Sequence, residues 1–141
     1  AFRNTIAEQK GKIKLLWQHD MTQPIGYFNV IREDELGLYV EGQLLLDVQK
    51  AKEAHALLKA GAINGLSVGY NVKEFRFDAE SGVRIIHELD LFEISLVTFP
   101  ANELANVAQV KAVDDVGCVG YEAIELSDAI DKAIFRLNEL C

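Results

Sequence analysis

Gly65-Leu66-Ser67-Val68-Gly69-Tyr70 is the stretch on which the reading of this chain turns. Ser67 stands between two glycines, with a predicted helix before it and a predicted strand after it. A glycine two residues away on either side removes Cβ atoms that would crowd the hydroxyl, and it lets the backbone turn sharply. The letters match the G-x-S-x-G nucleophile elbow, but that elbow runs strand, serine, helix, with its acid and histidine later in the chain. Here the order is helix, serine, strand, and the best-placed histidine, His19, comes earlier. An α/β-hydrolase is therefore excluded. Ser67 stays a candidate nucleophile beside the plainer reading, a Gly-Ser turn that leads into a strand.

Working outward, the helix before this stretch is expected over about 48–60, with Asp47 as its N-cap, Gly61 as its stop and Ala51, Ala54, Leu57 and Leu58 as its apolar stripe. The strand after it runs to about Phe77, and Asp78 to Gly82 make a turn. Residues 83–98 form a second extended segment, too long for an ordinary strand, so a bulge or bend is expected near Asp90. In its second part Phe92, Ile94 and Leu96 share one face, and Glu93, Ser95 and Val97 the other. Earlier in the chain, 25–33 and 37–46 read as an antiparallel pair joined at Glu33-Asp34-Glu35 and Gly37. Residues 13–18 read as a buried strand that ends at His19-Asp20. A loop from Met21 to Pro24 follows, because proline cannot donate to a sheet ladder. Residues 1–12 suggest a short polar helix. Residues 121–139 suggest a longer one, with Ile124, Ile130, Ile134 and Leu137 on or near one stripe.

Half of the 141 residues are hydrophobic, enough for one core and one domain. No run approaches the roughly 20 apolar residues of a membrane helix. No signal peptide is visible. Cys118 and Cys141 both lie near the C-terminus, so no disulfide framework is implied and a reducing, intracellular setting is the default. The net charge of −8 argues against a nucleic-acid surface. Residues 114–141 hold seven acids against two bases, which marks the tail as a distinct acidic segment.

Three polar residues stand at strand ends or inside apolar strands: His19, Ser67 and Glu93. They have the composition of a base, a nucleophile and an orienting acid. A serine hydroxyl is a poor nucleophile until a neutral imidazole takes its proton, and general-base catalysis contributes roughly 10²–10⁴-fold. The plainer readings are loop polar groups for His19 and Asp20, a turn serine for Ser67, and an ion pair of Glu93 with Arg84 or Lys73. No metal is implied, since His19, His55 and His87 are far apart in sequence and no Cys-x-x-Cys occurs. No Gly-rich phosphate loop is present.

Leu16-Trp17-Gln18-His19-Asp20 followed by Pro24-Ile25-Gly26 resembles the histidine motif of the tailed-phage prohead (capsid maturation) serine protease family. Gly61-Ala62-Ile63-Asn64 running into Gly65–Tyr70 resembles its serine motif, and Leu91 through Asn102 its third block. The three blocks occur in the family's order, over roughly residues 1–111. That family is in turn similar to the herpesvirus assemblin proteases, which carry a serine and two histidines on a small antiparallel β-barrel wrapped by helices.

The resemblance implies an α+β fold with a small antiparallel β-barrel and flanking helices, assemblin-like. The chain opens at Ala1-Phe2, where family members first have a strand pair, so it further implies a missing N-terminal strand. It makes residues 1–111 the protease domain. The acidic tail, 112–141, departs from the family pattern and is expected to be a linker with a helix packed on the barrel or on a second copy, as in a homo-oligomer, or the start of a scaffolding segment. His19 becomes the base and Ser67 the nucleophile. Glu93 takes the third place in chain order, with His87 and Asp90 as rivals because assemblins have a histidine there. Backbone N–H groups near Phe99 and Ala101 become the oxyanion hole, since Pro100 has none to give. The implied function is a serine endopeptidase, without cofactor, metal, nucleic acid or membrane. It would cut the scaffolding region or N-terminal arm of the major capsid protein, and itself, inside the assembling prohead in the bacterial host cytoplasm. The runner-up is an idle assembly or scaffolding module that keeps the protease fold.

Overall fold

The structure, a computed structural model, describes residues 1–9, 11–108, 110 and 132–135. It is mostly β, with two short helices. Helix α1 (Arg3–Glu8) leads into strand β1 (Lys14–Trp17), and a tight turn joins β1 to β2 (Asp20–Asp34). Strand β3 (Gly37–Leu44) and helix α2 (Gln49–Lys59) follow, then β4 (Gly65–Phe77), β5 (Arg84–Val97), β6 (Asn106–Val107) and β7 (Lys132–Phe135). The sheet is strongly curled, and its pairings run β1-β2-β3-β7-β6-β4-β5 and close on β1 as a barrel.

The expectation of an all-antiparallel barrel needs correction at one seam. β1 pairs with β5 in parallel, Lys14 opposite Glu93 through Trp17 opposite Leu96. A parallel pair needs a long crossover, and here β2, β3, α2 and β4 supply it. The expected helix over 121–139 is corrected where it can be seen. Lys132–Phe135 is a strand, paired with β3 and β6, and the rest of that range lies outside the described residues.

β2 begins at Asp20 and runs through Pro24, where a loop is expected from the sequence. Trp17 is opposite Asp20 while Leu16 is opposite Pro24, so a register shift falls between them. A bulge tolerates proline because no ladder donor is required there. Val48 takes the N-cap position of α2 in place of Asp47, with no side-chain cap bond. Ala51, Ala54 and Leu58 bury the helix's inner face, and Leu57 stays partly exposed.

The core lies on the concave side of the sheet and includes Leu15, Ile25, Leu38, Val40, Leu91 and Ile94. Each such side chain contributes about 1.5–3 kcal/mol by leaving water. Helix α1 packs on β5, and the fully buried Thr5 hydroxyl accepts the N–H of Leu91 at 3.0 Å. Leu91 lies just beyond the first β1–β5 partner pair, so this bond serves a buried donor that β1 does not reach.

The long β4–β5 hairpin has three register shifts in place of the single bend expected. One concerns Phe92. Gly69 is opposite Glu93 and Tyr70 opposite Leu91, leaving Phe92 as an extra residue on β5. Simple alternation puts Phe92 with Ile94 and Leu96 in the core, but the bulge keeps Leu91 and Ile94 inside and leaves Phe92 43% exposed.

Candidate active site

The site starts from a strained turn. Trp17 and Asp20 pair across β1 and β2, so Gln18-His19 is a two-residue hairpin loop. Both loop residues have positive φ, 52° at Gln18 and 60° at His19. A type I′ turn demands this and favours Asn-Gly. Two side-chain-bearing residues there cost on the order of 1–3 kcal/mol each, and such strain persists only when the surroundings over-determine it.

β5 and the residue after it provide that determination. The Gln18 N–H donates to the Leu96 carbonyl at 2.9 Å. The Gln18 amide donates to Thr98 Oγ1 at 2.8 Å and accepts the Thr98 N–H at 3.3 Å. The His19 N–H donates to Ser95 Oγ at 3.1 Å. The ring's Nδ1 meets Glu93 Oε1 at 2.6 Å. This contact selects the Nδ1–H tautomer for a neutral ring and leaves Nε2 as the nitrogen not engaged by Glu93. The second carboxylate oxygen, Oε2, accepts the Ser95 hydroxyl. The His19 side chain is 44% exposed and that of Glu93 only 12%.

The strand ladder puts Ser67 on the same face. Ser67 is opposite Ser95 and Gly69 opposite Glu93 in the antiparallel β4–β5 register. Cross-strand partners project to the same side of a sheet, with Cβ atoms about 4.5–5.5 Å apart. The alternate residues Leu66, Ile94 and Leu96 enter the core, so this group lies on the outer, convex face. Among the described residues no hydrogen bond joins Ser67 to His19, and catalytic bonds are often loose without substrate.

Gly69 and Gly65 have other reasons than those the motif suggests. Neither has positive φ among the described residues, and both lie in β4, so the stretch is extended and makes no sharp turn. A Cβ on Gly69 would stand 2.2 Å from Glu93 Oε1, so this glycine makes room for the carboxylate. A Cβ on Gly65 would stand 2.7 Å from Pro100 Cδ, so this one seats the turn after β5.

The rival third residues are engaged elsewhere. Asp90 pairs with Lys73 Nζ at 2.8 Å, and His87 is exposed on the far part of β5. Arg84 lies 4.1 Å over the Phe75 ring, and Lys73 reaches Asp90 and Glu88, so neither is the partner of Glu93. Asp20 turns to Thr22, whose hydroxyl and N–H bonds hold its carboxyl below the usual range. Phe99 and Ala101 flank the Pro100 that packs on Gly65, and the Phe99 side chain is 90% exposed. No group of metal-ligating side chains occurs among the described residues. No described helix is long and apolar enough to cross a membrane.

Sequence reasoning passed over two residues. Ser95 is fully buried and touches both His19 and Glu93. Its signal is the Glu93-x-Ser95 spacing, two polar groups on one face of an apolar strand. Gln18 is the second, and its signal is a long amide next to the histidine in a two-residue loop.

A serine, an imidazole and a carboxylate gathered on one outer face of a curled sheet are the residue types of a serine hydrolase. The chain belongs to the caudovirus prohead serine protease family, whose sequence profile matches residues 1–117. It is 37% identical over 118 residues to the prohead protease of Enterobacteria phage HK97, covering 82% of this chain and 52% of that protein. It is 35% identical over 115 residues to the capsid polyprotein of Pseudomonas phage PAJU2, covering 77% of this chain and 17% of the polyprotein. The prohead protease of Escherichia phage T5 is 29% identical over 89 residues, covering 63% of this chain and 41% of that protein. The chain thus spans about half the length of the HK97 relative or less of the others. No solved structure matches it.

Proposed function

We propose that this chain carries the catalytic unit of a prohead maturation endopeptidase, with Ser67 as nucleophile, His19 as general base and Glu93 as the acid that orients His19. The observation that carries this reading is the 2.6 Å contact of Glu93 with His19 Nδ1, on the sheet face that Ser67 shares. Ser67 Oγ attacks the scissile carbonyl, and its proton passes to His19 Nε2. Glu93 stabilises the imidazolium, which then protonates the leaving amine. Water repeats the cycle on the acyl-enzyme. The N–H groups of Phe99 and Ala101 are the candidate oxyanion donors, on a turn that Pro100 and Gly65 hold beside the start of β4.

Membership of a prohead protease family supports capsid-maturation substrates, namely scaffolding or capsid-protein segments and the protease's own chain. The match to 17% of a capsid polyprotein supports the same reading, because it puts a sequence like this one in a single chain with capsid protein. The setting proposed is the assembling prohead in the host cytoplasm. Residues 1–111 form the proposed protease unit, and β7 ties part of the acidic segment beyond it to the same sheet. An idle assembly module is not favoured, because the serine, base and acid are all present on one face.

Incubating the chain with its capsid precursor and mapping new termini tests the reading, together with fluorophosphonate labelling. New termini that disappear with Ser67→Ala, and a label on Ser67, are the expected results. A precursor left intact and an unlabelled Ser67 in a folded chain would reject it.

A further inference from the structure

Ser95 has no part in the chemistry just described, yet its hydroxyl touches both His19 and Glu93. It is fully buried between Ile94 and Leu96 on β5, where an apolar residue would cost less. It accepts the His19 N–H at 3.1 Å and donates its proton to Glu93 Oε2. Both bonds go to the site. With its proton committed to Glu93 and no exposure to solvent, Ser95 is itself no rival to Ser67 as the nucleophile.

We infer that Ser95 is a positioning residue that locks the Glu93 carboxylate with Oε1 on His19 Nδ1 and pins the backbone of the strained turn at His19. This rests on the His19–Ser67–Glu93 reading above. A glutamate on a strand face can rotate its carboxylate, and either oxygen could meet the imidazole. Anchoring Oε2 from below removes that freedom. Holding the His19 N–H removes a second freedom, because the turn residue cannot relax out of positive φ without breaking that bond. The imidazole is thereby fixed at ring and backbone together, with Nε2 as the nitrogen left for the nucleophile. A purely structural serine would satisfy a stray backbone group and leave the ring's protonation pattern untouched.

The test uses Ser95→Ala and Ser95→Cys, each in the parent chain and in a Ser67→Ala chain. Cysteine keeps most of the volume and weakens both bonds, so it serves if alanine fails to fold. In the Ser67→Ala chain, histidine-selective ¹⁵N NMR reads the tautomer of His19 and the proton shared with Glu93. The parent should show the Nδ1–H form with a low-field proton, and the Ser95 variants a tautomer mixture with that proton lost. Turnover in the active chain should fall by roughly 10²-fold, the cost of a small misplacement of a reacting group. KM should change by no more than about twofold, since only transition-state geometry is affected. A folded variant that keeps both the parental tautomer and the parental turnover overturns the inference. A parent that cleaves nothing while its tautomer still responds to Ser95 overturns the protease reading and leaves the Ser95 coupling standing.

Discussion

The two halves of the β4–β5 hairpin are built from one ladder and have different fates. The near half pairs Gly65–Gly69 with Glu93–Val97, and the far half pairs Asn71–Phe77 with Arg84–Asp90. In each half a β5 carboxylate meets a basic side chain, Glu93 with His19 and Asp90 with Lys73. In the near half Glu93 is nearly covered and held by His19 and Ser95. In the far half Lys73 bridges Asp90 at 2.8 Å and Glu88 at 3.7 Å on the half-exposed surface. Phe75 and Phe77 meet edge to face out there, with Arg84 over Phe75. The difference lies in what roofs the outer face. The β1–β2 turn covers the near half and stops short of the far half, so the same residue types become a site in one place and surface ion pairs in the other.

The largest expected effect breaks the near half at its proposed nucleophile. Ser67→Ala should lower cleavage by roughly 10⁴–10⁶-fold, with stability changed by about 1 kcal/mol or less. His19→Ala should match it, and the double variant should be little worse than either single, because residues acting as one unit are non-additive. Termini mapping and denaturant melts check both. Additive losses would show that the two residues do not share a step.

Glu93→Gln comes next. It keeps the shape over Gly69 and removes the charge proposed to stabilise the imidazolium. Turnover should fall by roughly 10²–10⁴-fold, the upper figure being that for the acid of a Ser-His-Asp triad. The matched change in the far half, Asp90→Asn, should leave turnover within about twofold, as it touches no reacting group. Equal losses from the two would mean that the roof over Glu93 has no bearing on function.

Gly69→Ala sharpens the comparison through geometry alone. Its Cβ would sit 2.2 Å from Glu93 Oε1, so the carboxylate must move. Turnover should drop by about 10²-fold, and overpacking should cost about 1–3 kcal/mol in a melt. A Gly69→Ala chain with parental turnover would show that Glu93 need not lie where it does.

His19, Ser67 and Glu93 can be nominated from the sequence as polar residues at strand ends or inside apolar strands, and the order of the family motifs supplies their proposed roles. The order helix, serine, strand is legible because α2 and β4 have clear periods. Other features depend on tertiary contacts that no local pattern encodes. Gln18-His19 lacks the Asn-Gly of a primed turn, and among the described residues the bonds to Leu96, Ser95, Glu93 and Thr98 hold it at positive φ. Gly69 reads as relief for the serine and proves to be relief for a carboxylate on the neighbouring strand. Phe92 reads as core by alternation until the bulge turns it out. The isoleucine spacing suggests a helix across Lys132–Phe135, where pairing with β3 and β6 makes a strand instead, tertiary pairing overriding a local period.

The smallest effect belongs to the far half and concerns stability alone. Lys73 has its ammonium value raised above 10.5, first by the hydrogen bond to Asp90. A cation whose folded value lies above its unfolded one contributes stability that is fully present below the unfolded value. That contribution is lost as pH rises through the folded value. The melting temperature of the parent should therefore exceed that of Asp90→Asn by a small, constant margin from pH 7 to about 10. The margin should close as pH climbs past the raised Lys73 value. Because the pair is exposed, about 1 M salt should also close it at neutral pH, where the screening length is roughly 3 Å. Paired melts across pH and salt read both limbs. A margin that survives high salt and high pH would mean that Asp90 acts through something other than Lys73, and the far half would then hold more than a surface ion pair.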